Sequence, residues 1–338
     1  MKTRIAINGF GRIGRLTFRH LMQHDAFDVV AINDIAPLDN LAYLLRHDTV
    51  HRDPDLTVRA GEGKLHWGER EIQYTQKRDP SDLPWDELNV SIAVEATGIF
   101  RDREGAAKHL EAGAERVILT APGNNSDLTV CMGVNEGMFD PQKHVIISNA
   151  SCTTNCLAPV ARVLHEEFGI VTGFVTTVHA VTGSQSTVDV SAKKWTRGRS
   201  AIANIVPTTT GAAIATTLTL PELEGKLDGL AMRVPVPDGS IIDFVVQTEK
   251  LVTVDAVNDV FRRRAQDDDL RGILGITEEP LVSSDIIGST YSALVNAPST
   301  MVLGEHTAKV LAWYDNEWGY ARRVVDLAAY VARKTTYE

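Results

Sequence analysis

Two cysteines, Cys152 and Cys156, stand four residues apart in the stretch SNASCTTNC, which covers residues 148–156. Such a pair can hold a metal, form a disulfide, pack in a core, or contain one nucleophilic thiolate. Zinc needs about four ligands, and no second Cys/His pair follows at a suitable spacing. Three cysteines in 338 residues, with no export segment predicted, favour a reducing compartment over a disulfide. The pattern leaves a nucleophile or packed side chains as the main alternatives.

A polar turn at 148–151 precedes a helical pattern that continues through 157–168. Cys152 is therefore predicted near a helix N-terminus, where the macrodipole and the exposed amides lower the pKa of a thiol. Cys156 is expected one turn further in, packed as a small hydrophobic side chain. His179 ends a β-rich run and is the candidate base, with a half-buried structural histidine as the alternative. The sequence alone does not place Cys152 and His179 together in space.

A glycine-rich run near the N-terminus has the spacing of a phosphate-binding turn. GFGRIG follows an apolar strand pattern and precedes a helical one, and Asp34 ends the next strand 20 residues after Gly14. In a dinucleotide-binding fold Gly9 allows the tight turn, Gly11 lets the backbone approach the pyrophosphate, and Gly14 lets helix and strand pack closely. A carboxylate at Asp34 binds both ribose hydroxyls and repels a 2′-phosphate, so the pattern predicts NAD.

Alternating strands and helices surround these residues. Strand patterns at 90–96, 117–120, 130–134 and 145–147 alternate with a helical pattern at 103–113. This order predicts a mostly parallel, doubly wound sheet, in which ligands bind at the carboxyl ends of the strands. Thr97 and Thr120 follow two of these strands, either as ligand contacts or as ordinary turn and cap residues.

Length and charge narrow the class of protein. A chain of 338 residues is too long for one core, so two domains are expected. The net charge of −10 argues against a dedicated nucleic-acid binder. No apolar run approaches the roughly 20 residues of a membrane span. These features predict a cytoplasmic protein that binds neither nucleic acid nor membrane.

Several motifs resemble those of phosphorylating glyceraldehyde-3-phosphate dehydrogenases. They are INGFGRIGR, SNASCTTNCLAP, HAVTG, NIVPTTTGAA, RVPVPDGS and WYDNEWGY, and they occur in that family's order over nearly the whole chain. The resemblance implies an α/β fold with a Rossmann doubly wound parallel sheet and an α+β catalytic domain with a mostly antiparallel sheet. It implies a homotetramer, an NAD-binding domain at 1–151 completed by a C-terminal helix at 317–338, and a catalytic domain at 152–316.

The resemblance also implies roles for individual residues. Cys152 would be the nucleophile and His179 its base, with no metal. Inorganic phosphate would bind Ser151, Thr153, Thr210 and Gly211, whereas the C3 phosphate of the substrate would bind Thr182 and Arg233. Arg197 and Arg199 are candidates to assist an anion site. The implied NAD-binding residues are Gly9, Phe10, Gly11, Arg12, Ile13, Gly14, Asp34, Arg78, Thr97, Thr120 and Asn316.

The implied reaction is the NAD-dependent oxidation of D-glyceraldehyde 3-phosphate to 1,3-bisphosphoglycerate, with inorganic phosphate as the second substrate and a thioester on Cys152 as the intermediate. Many family members have Asp and Arg where this chain has Ser184 and Ser186, so the usual support of the C3-phosphate site is missing, and Lys193 or Lys194 could restore its positive charge. Ser191 resembles the serine of NADP-using members, which leaves NADP as a secondary cofactor.

Three other functions stay open at this stage. Erythrose-4-phosphate dehydrogenase uses the same fold, cysteine and histidine, although Thr182 favours the triose substrate. Arsenate resembles phosphate and fits the same hydrogen-bond donors. A non-catalytic scaffold could retain the dinucleotide fold alone, but the intact set of Cys152, His179, Arg233 and Asn316 argues against it.

Overall fold

The computed structural model describes residues 2–53 and 57–336. The chain divides into two compact units, of which the first comprises Met1–Val130, Glu136–Ala150 and Ala321–Glu338 and the second Cys131–Asn135 and Ser151–Tyr320. The predicted domain ranges also contain residues 1, 54–56 and 337–338, which lie outside the described residues. Among the helices of the described ranges, none has the length and apolar character needed to span a membrane.

A sheet of nine strands, counted over the described residues, forms the first unit. Its strands are β1 (Thr3–Asn8), β2 (Phe27–Asn33), β3 (Val58–Gly61), β4 (Lys64–Trp67), β5 (Arg70–Thr75), β6 (Ile92–Glu95), β7 (Arg116–Leu119), β8 (Leu128–Thr129) and β9 (Ile146–Ser148). Its helices are α1 (Arg12–Met22), α2 (Leu38–Arg46) and α3 (Arg103–Glu111).

The strand order of this sheet is β3-β4-β5-β2-β1-β6-β7-β9-β8. Across the sheet, the pairings β5–β2, β2–β1, β1–β6, β6–β7, β7–β9 and β9–β8 are all parallel. The pairings β3–β4 and β4–β5 are antiparallel and form one edge of the sheet. The order reverses between β1 and β6, which is the switch point where ligands bind in such sheets. The predicted parallel sheet is confirmed.

The strand predicted at 130–134 is wrong. The sheet strand β8 ends at Thr129, and residues 131–135 form a turn that packs with the second unit. In this turn the Cys131 amide donates to the Asn135 side chain at 2.9 Å, and the Asn135 amide donates back to the Cys131 carbonyl at 3.2 Å. These local bonds occupy backbone groups that a strand would present to its neighbour.

The second unit has a sheet of eight strands, again counted over the described residues. Its strands are β10 (Ile170–Ala180), β11 (Val206–Thr209), β12 (Leu227–Val234), β13 (Ser240–Thr248), β14 (Leu274–Thr277), β15 (Ala293–Asn296), β16 (Met301–Leu303) and β17 (Thr307–Tyr314). Its helices are α4 (Cys152–Phe168), α5 (Ala212–Thr219) and α6 (Val254–Arg264). The pairings β10–β12 and β14–β15 are parallel and the other five are antiparallel, which confirms the predicted mostly antiparallel sheet.

The two faces of this second sheet differ in their covering. On one face Val175 and Phe244, which are register partners, are buried in the core together with apolar residues of α4. On the other face Phe174 and its register partner Val245 remain 69% and 37% exposed, and Leu230 of β12, which pairs with Thr176 two residues further along β10, is 42% exposed. Because exposed apolar patches of this kind mark interaction sites, this face is a candidate interface.

The C-terminal helix α7 (Trp318–Thr336) packs within the first unit from Ala321 onward. Its residues Val324, Ala328 and Val331 recur at helical spacing and are fully buried. The predicted helix is therefore present, and its apolar stripe joins the core of the parallel-sheet unit.

Candidate functional site

Two glycines of the GFGRIG run are fixed by close packing. Gly9 has φ +94°, and a Cβ there would lie 2.6 Å from the Thr97 amide nitrogen. A Cβ on Gly14 would lie 2.0 Å from the Gly9 carbonyl oxygen. Gly11 differs, because a Cβ there would meet nothing within 4 Å. The first and third glycines thus serve the fold, whereas the second leaves open space beside the start of α1.

A cavity of about 250 Å³ lies at the carboxyl ends of the first unit's parallel strands. Five of the predicted NAD-binding residues line it, namely Gly9, Gly11, Asp34, Arg78 and Thr97. The Asp34 carboxylate accepts hydrogen bonds from the Phe10 amide at 2.7 Å and the Ala36 amide at 3.0 Å. These bonds hold the Asp34 carboxylate at the cavity, where it can accept hydrogen bonds from ribose hydroxyls.

The other predicted residues of this unit have different surroundings. The side chain of Arg12 forms a salt bridge with Asp48 at 2.5 Å, so this residue can offer a ligand its backbone amide. Thr120 donates its hydroxyl to the Glu95 carbonyl at 3.1 Å. The cavity lining does not include Phe10, Arg12, Ile13, Gly14 or Thr120.

A buried carboxylate, Glu95, binds two residues that line the cavity, Asn8 and Thr97. This residue was not identified from the sequence. Its Oε1 accepts the Thr97 amide at 2.8 Å and also the Thr97 hydroxyl, and its Oε2 accepts Asn8 Nδ2 at 2.6 Å. His109 Nε2 lies 3.0 Å from the same Oε2, and His109 Nδ1 accepts the Trp85 indole N–H at 3.0 Å. Glu95 is the last residue of an apolar strand pattern, and this position is the one sequence feature that could have indicated its supporting role.

The predicted nucleophile begins helix α4. Ser151 is the N-cap, and its hydroxyl accepts the Thr154 amide at 3.1 Å. Ala150, directly before it, is fully buried with φ +55°, a backbone conformation that costs a non-glycine residue energy and often accompanies function. This turn fixes the position of Cys152 at the first residue of α4.

Cys152 and His179 are in contact in the second unit. The distance from Cys152 Sγ to His179 Nε2 is 3.4 Å. Burial raises the pKa of the Cys152 thiol, although the Arg233 charge and the Thr153 amide oppose this. The predicted lowering of the Cys152 pKa is therefore wrong for this structure, because removal from water outweighs the helix N-terminus. The cysteine rests as a thiol.

The ring of His179 is buried and neutral. Burial and the charges of Arg233 and Arg197 together lower the pKa of His179 to about 3, although the Ala180 carbonyl acts in the opposite direction. His179 and Arg233 are direct register partners in the parallel pair β10–β12, and Arg233 Nη1 lies 2.7 Å from His179 Nδ1. The sheet register therefore brings Arg233 into contact with His179.

Close approach of these two strands depends on Gly229. It pairs with Val175 in the same register, and a Cβ on Gly229 would lie 2.3 Å from the Val175 carbonyl oxygen. A side chain at this position would separate β12 from β10.

Tyr314 is a second buried residue that the sequence did not reveal. Its hydroxyl lies 2.9 Å from Thr153 Oγ1 and 2.8 Å from Thr177 Oγ1, and its ring meets the His179 ring edge-on at 5.9 Å. Burial raises its pKa well above the ordinary value. The Thr153 hydroxyl is thus bonded to a tyrosine and not directed to an open site.

The remaining predicted phosphate residues lie at the ends of strands and helices. Ser151 Oγ lies 2.7 Å from Thr154 Oγ1, and Thr182 Oγ1 lies 3.0 Å from Ser184 Oγ. Thr210 Oγ1 accepts the Ala212 amide at 3.2 Å, and Gly211 is the N-cap of α5 with open space beside it.

Two basic side chains contact strand β11, which ends directly before Thr210. Arg197 Nε donates to Thr208 Oγ1 at 2.9 Å, and Lys194 Nζ donates to Thr209 Oγ1. Arg199 instead forms an ion pair with Asp189 at 2.9 Å. Arg197 and Lys194 therefore reach this strand end, as a site for anions requires, whereas Arg199 does not.

Three further predicted positions are simpler. Asn316 is buried, and its Oδ1 accepts the Ser240 hydroxyl at 2.5 Å, which leaves its NH₂ group as a donor. Ser191 is exposed. Cys156 is fully buried with a pKa raised well above the ordinary thiol value, and its Sγ lies 3.7 Å from the Ala312 carbonyl, so the prediction of a packed side chain is confirmed.

Comparisons with known proteins agree with this arrangement. Residues 3–103 match the family model described as glyceraldehyde 3-phosphate dehydrogenase, NAD binding domain, and residues 151–316 match that of the C-terminal domain. The chain is 52% identical over 334 residues to glyceraldehyde-3-phosphate dehydrogenase of Geobacillus stearothermophilus, with 99% of both chains covered. It is 49% identical to that of Streptomyces coelicolor, over 99% of this chain and all of the relative. The chain belongs to the glyceraldehyde-3-phosphate dehydrogenase family.

Proposed function

We propose that this protein oxidises D-glyceraldehyde 3-phosphate with NAD and inorganic phosphate to give 1,3-bisphosphoglycerate. The observation that carries the proposal is the 3.4 Å contact between Cys152 Sγ and His179 Nε2, in a chain whose full-length relatives bear the name of this dehydrogenase. A thiol beside a neutral imidazole is the pair that thioester chemistry requires.

The cavity of the first unit fits NAD. Asp34 would accept hydrogen bonds from the ribose hydroxyls, and the start of α1 would offer amides to the pyrophosphate beside Gly11. Arg78, which lines the cavity, would lie on the adenosine side. Exposed apolar side chains at the same cavity, Ile35 and Ile99, suit an adenine ring. When bound, NAD supplies the acceptor for the hydride that leaves the aldehyde carbon. We propose that the NH₂ group of Asn316 binds the nicotinamide carboxamide.

Acylation begins when the Cys152 sulfur bonds to the aldehyde carbon. The carbonyl π electrons move to the oxygen, the thiol proton passes to His179 Nε2, and that proton then reaches the oxygen to give a thiohemiacetal. His179 accepts the hydroxyl proton as the hydride leaves, and a thioester on Cys152 remains. The amide at the start of α4 can stabilise the negative oxygen during attack.

Phosphorolysis releases the product. A phosphate oxygen bonds to the thioester carbon, the C–S bond breaks, and its electron pair returns to the Cys152 sulfur. The His179 proton moves to that sulfur, and the proton of the attacking phosphate is released to water.

Hydroxyls, amides and guanidinium groups would bind the two phosphates. We propose Ser151, Thr210 and Gly211 for inorganic phosphate, with positive charge supplied by Arg197 and Lys194, which donate to Thr208 and Thr209 just before Thr210. Thr153 belongs to the same predicted set, but its hydroxyl would first have to leave Tyr314. Arg233 and Thr182 are proposed for the C3 phosphate.

We infer that NAD is preferred over NADP, because a carboxylate at Asp34 would repel a 2′-phosphate. Secondary use of NADP through Ser191 remains a prediction, which a comparison of kcat/KM for the two cofactors tests. A clear preference for NADP would contradict the proposed role of Asp34.

We also propose a cytoplasmic homotetramer, with the NAD-binding domain at 1–151 and 317–338 and the catalytic domain at 152–316. The uncovered face of the second sheet supports assembly, since Phe174, Val245 and Leu230 would leave water there. Sedimentation of the wild-type protein tests this, and a stable monomer at micromolar concentration would contradict it.

The function is tested by following NADH formation from glyceraldehyde 3-phosphate, with erythrose 4-phosphate and arsenate as comparisons. We expect turnover that requires phosphate or arsenate and that favours the triose. Cys152→Ala should abolish turnover while retaining NAD binding, and the matched variant Cys156→Ala should keep it. Activity that survives Cys152→Ala, or no oxidation of the triose by the wild type, would refute the proposal.

A further inference from the structure

The loop that follows strand β2 contains Asp34 and is held against the end of strand β5. The Asp34 amide donates to the Thr75 carbonyl oxygen at 3.2 Å, one residue beyond the last pair of the two strands. The Tyr74 hydroxyl lies 2.9 Å from the Asp34 carbonyl oxygen and also contacts the Ala36 carbonyl oxygen. Gln76 Nε2 lies 3.2 Å from the same Ala36 oxygen. Two side chains at the end of β5 therefore bond the backbone of this loop.

The Tyr74 proton is the side-chain donor that serves the Asp34 carbonyl oxygen. A phenol has one proton and donates to one carbonyl at a time, whereas the Ala36 oxygen also has Gln76 as a donor. Burial and the negative charge of Asp34 raise the pKa of Tyr74 to about 12, so the phenol keeps this proton at neutral pH. Removal of the hydroxyl would take this bond from the Asp34 carbonyl, in a loop that lies outside both the sheet and helix α2.

The Asp34 carboxylate depends on the position of this loop. Its two oxygens accept the Phe10 amide, which belongs to the glycine turn before α1, and the Ala36 amide, which belongs to the loop itself. An aspartate side chain is short and has few rotatable bonds, so the backbone position largely determines what the carboxylate can reach. The cavity lining does not include Tyr74. An effect of the Tyr74 hydroxyl on a ligand must therefore pass through the loop that contains Asp34.

We propose that Tyr74 is a positioning residue for cofactor selection: its hydroxyl holds the loop so that the Asp34 carboxylate binds the adenosine ribose of NAD and repels the 2′-phosphate of NADP. This inference rests on the proposed function, because it takes NAD as the ligand of the cavity and Asp34 as the ribose acceptor. Part of the preference for NAD would then come from a residue that does not touch the cofactor.

Loss of the Tyr74 hydroxyl should affect the two cofactors in different ways. A carboxylate that is no longer held in place must be ordered when it binds the ribose hydroxyls, so the affinity for NAD falls. The same carboxylate can turn away from a 2′-phosphate, so the electrostatic cost of binding NADP decreases. A general loosening of the cavity would instead weaken the binding of both cofactors to the same extent. The ratio of the two affinities therefore separates positioning of Asp34 from simple structural support.

The first test measures the Kd of NAD and of NADP by calorimetric titration. Tyr74→Phe removes the hydroxyl and keeps the ring, and we expect the Kd for NAD to rise about fivefold, the effect of one ordinary hydrogen bond. The Kd for NADP should stay the same or fall. Tyr43→Phe is the matched control, since it removes the hydroxyl of a tyrosine of α2 that is 52% exposed, and it should keep both values. An unchanged ratio of the two Kd values in Tyr74→Phe would overturn the inference.

A double-mutant cycle shows whether Tyr74 acts through Asp34. Asp34→Ala leaves no carboxylate to position, so adding Tyr74→Phe to this variant should not raise the Kd for NAD further. If the second substitution has the same effect in both backgrounds, Tyr74 acts independently of Asp34 and the inference is wrong. A wild type that does not bind NAD, or an Asp34→Ala variant that binds it with wild-type affinity, would instead refute the cofactor site of the proposed function.

A second test reads the position of the carboxylate without any cofactor. The amides of Phe10 and Ala36 donate to the Asp34 carboxylate, so their hydrogen exchange should be several-fold faster in Tyr74→Phe than in the wild type. The Gly105 amide donates to the Asp102 side chain in the same unit and serves as the control, with an unchanged rate. Unchanged exchange at Phe10 and Ala36, or equally faster exchange at Gly105, would contradict a specific role of Tyr74 in holding Asp34.

Discussion

Replacing Glu95 by glutamine changes one oxygen of a buried carboxylate into an NH₂ group and keeps the shape of the side chain. Every group around this carboxylate donates a hydrogen bond: the Thr97 amide and hydroxyl to Oε1, and Asn8 Nδ2 and His109 Nε2 to Oε2. His109 cannot reverse its role, because its Nδ1 already accepts the Trp85 N–H, which can only donate. With its NH₂ group toward Asn8 and His109, the glutamine amide points hydrogen atoms at two donors. In the other orientation its NH₂ group faces the Thr97 amide, which can only donate, and the Thr97 hydroxyl, which can turn and accept.

The size of the effect follows from these contacts. In the better orientation one hydrogen bond to a charged group is lost, worth about 1.5–3 kcal/mol, so we expect the free energy of unfolding of the first unit to fall by about 2 kcal/mol. For a unit of this size such a loss lowers Tm by about 4–8 °C. Asn8 and Thr97 also line the NAD cavity, so we expect the Kd for NAD to rise about tenfold, which corresponds to about 1.4 kcal/mol.

Thermal unfolding and calorimetric titration with NAD measure both effects. Glu87→Gln is the matched control, since Glu87 is exposed in the same unit. The rate at which iodoacetamide alkylates Cys152 should not change, because the groups that Glu95 binds, on Asn8, Thr97 and His109, all belong to the first unit. If Glu95→Gln keeps the Tm and the NAD affinity of the control, the buried carboxylate does not support the cavity and the reasoning fails.

Three other predictions concern the glycine turn and the histidine. Gly14→Ala places a methyl group 2.0 Å from the Gly9 carbonyl and should cost about 1–3 kcal/mol of stability, whereas Gly11→Ala should leave stability unchanged and weaken NAD binding; equal effects on Tm would argue against the packing role. His179→Asn should slow the NADH burst with glyceraldehyde 3-phosphate by roughly 10² to 10⁴, and a burst of wild-type rate would exclude His179 as the base. Because the pKa of His179 falls from 6.5 to about 3 on folding, the unfolded state binds the additional proton, and the free energy of unfolding should decrease as the pH drops from 6.5 toward 3. His179→Gln should lack that part of the acid destabilisation, and identical pH profiles would contradict a buried neutral ring.

The sequence predicted those features that depend on residues close together in the chain. The glycine turn, Asp34 at the next strand end, and Cys152 at a helix start each follow from a local pattern, and the structure has each of them. The family resemblance supplied the partner of Cys152, which no local pattern could give, since His179 lies 27 residues away.

Features set by burial and register could not be predicted in this way. The pKa of Cys152 rises because surrounding side chains remove part of its contact with water, an effect that the helix-terminus rule does not include. Glu95 and Tyr314 sit within apolar strand patterns, where a polar residue gives no sign of the partners it will meet. The contact between Arg233 and His179 joins residues 54 apart, and only the pairing of β10 with β12 creates it.

That pairing limits how this sequence can change during evolution. Successive residues of a strand point to opposite faces, so one residue inserted into β12 between Gly229 and Arg233 would turn the guanidinium to the other side of the sheet, away from His179. An insertion before Gly229 could be accommodated in the preceding loop, provided that Gly229 still paired with Val175. No side chain fits at that position. We therefore expect length variation among relatives to be absent from these five positions of β12 and to occur in the connections on either side of the strand.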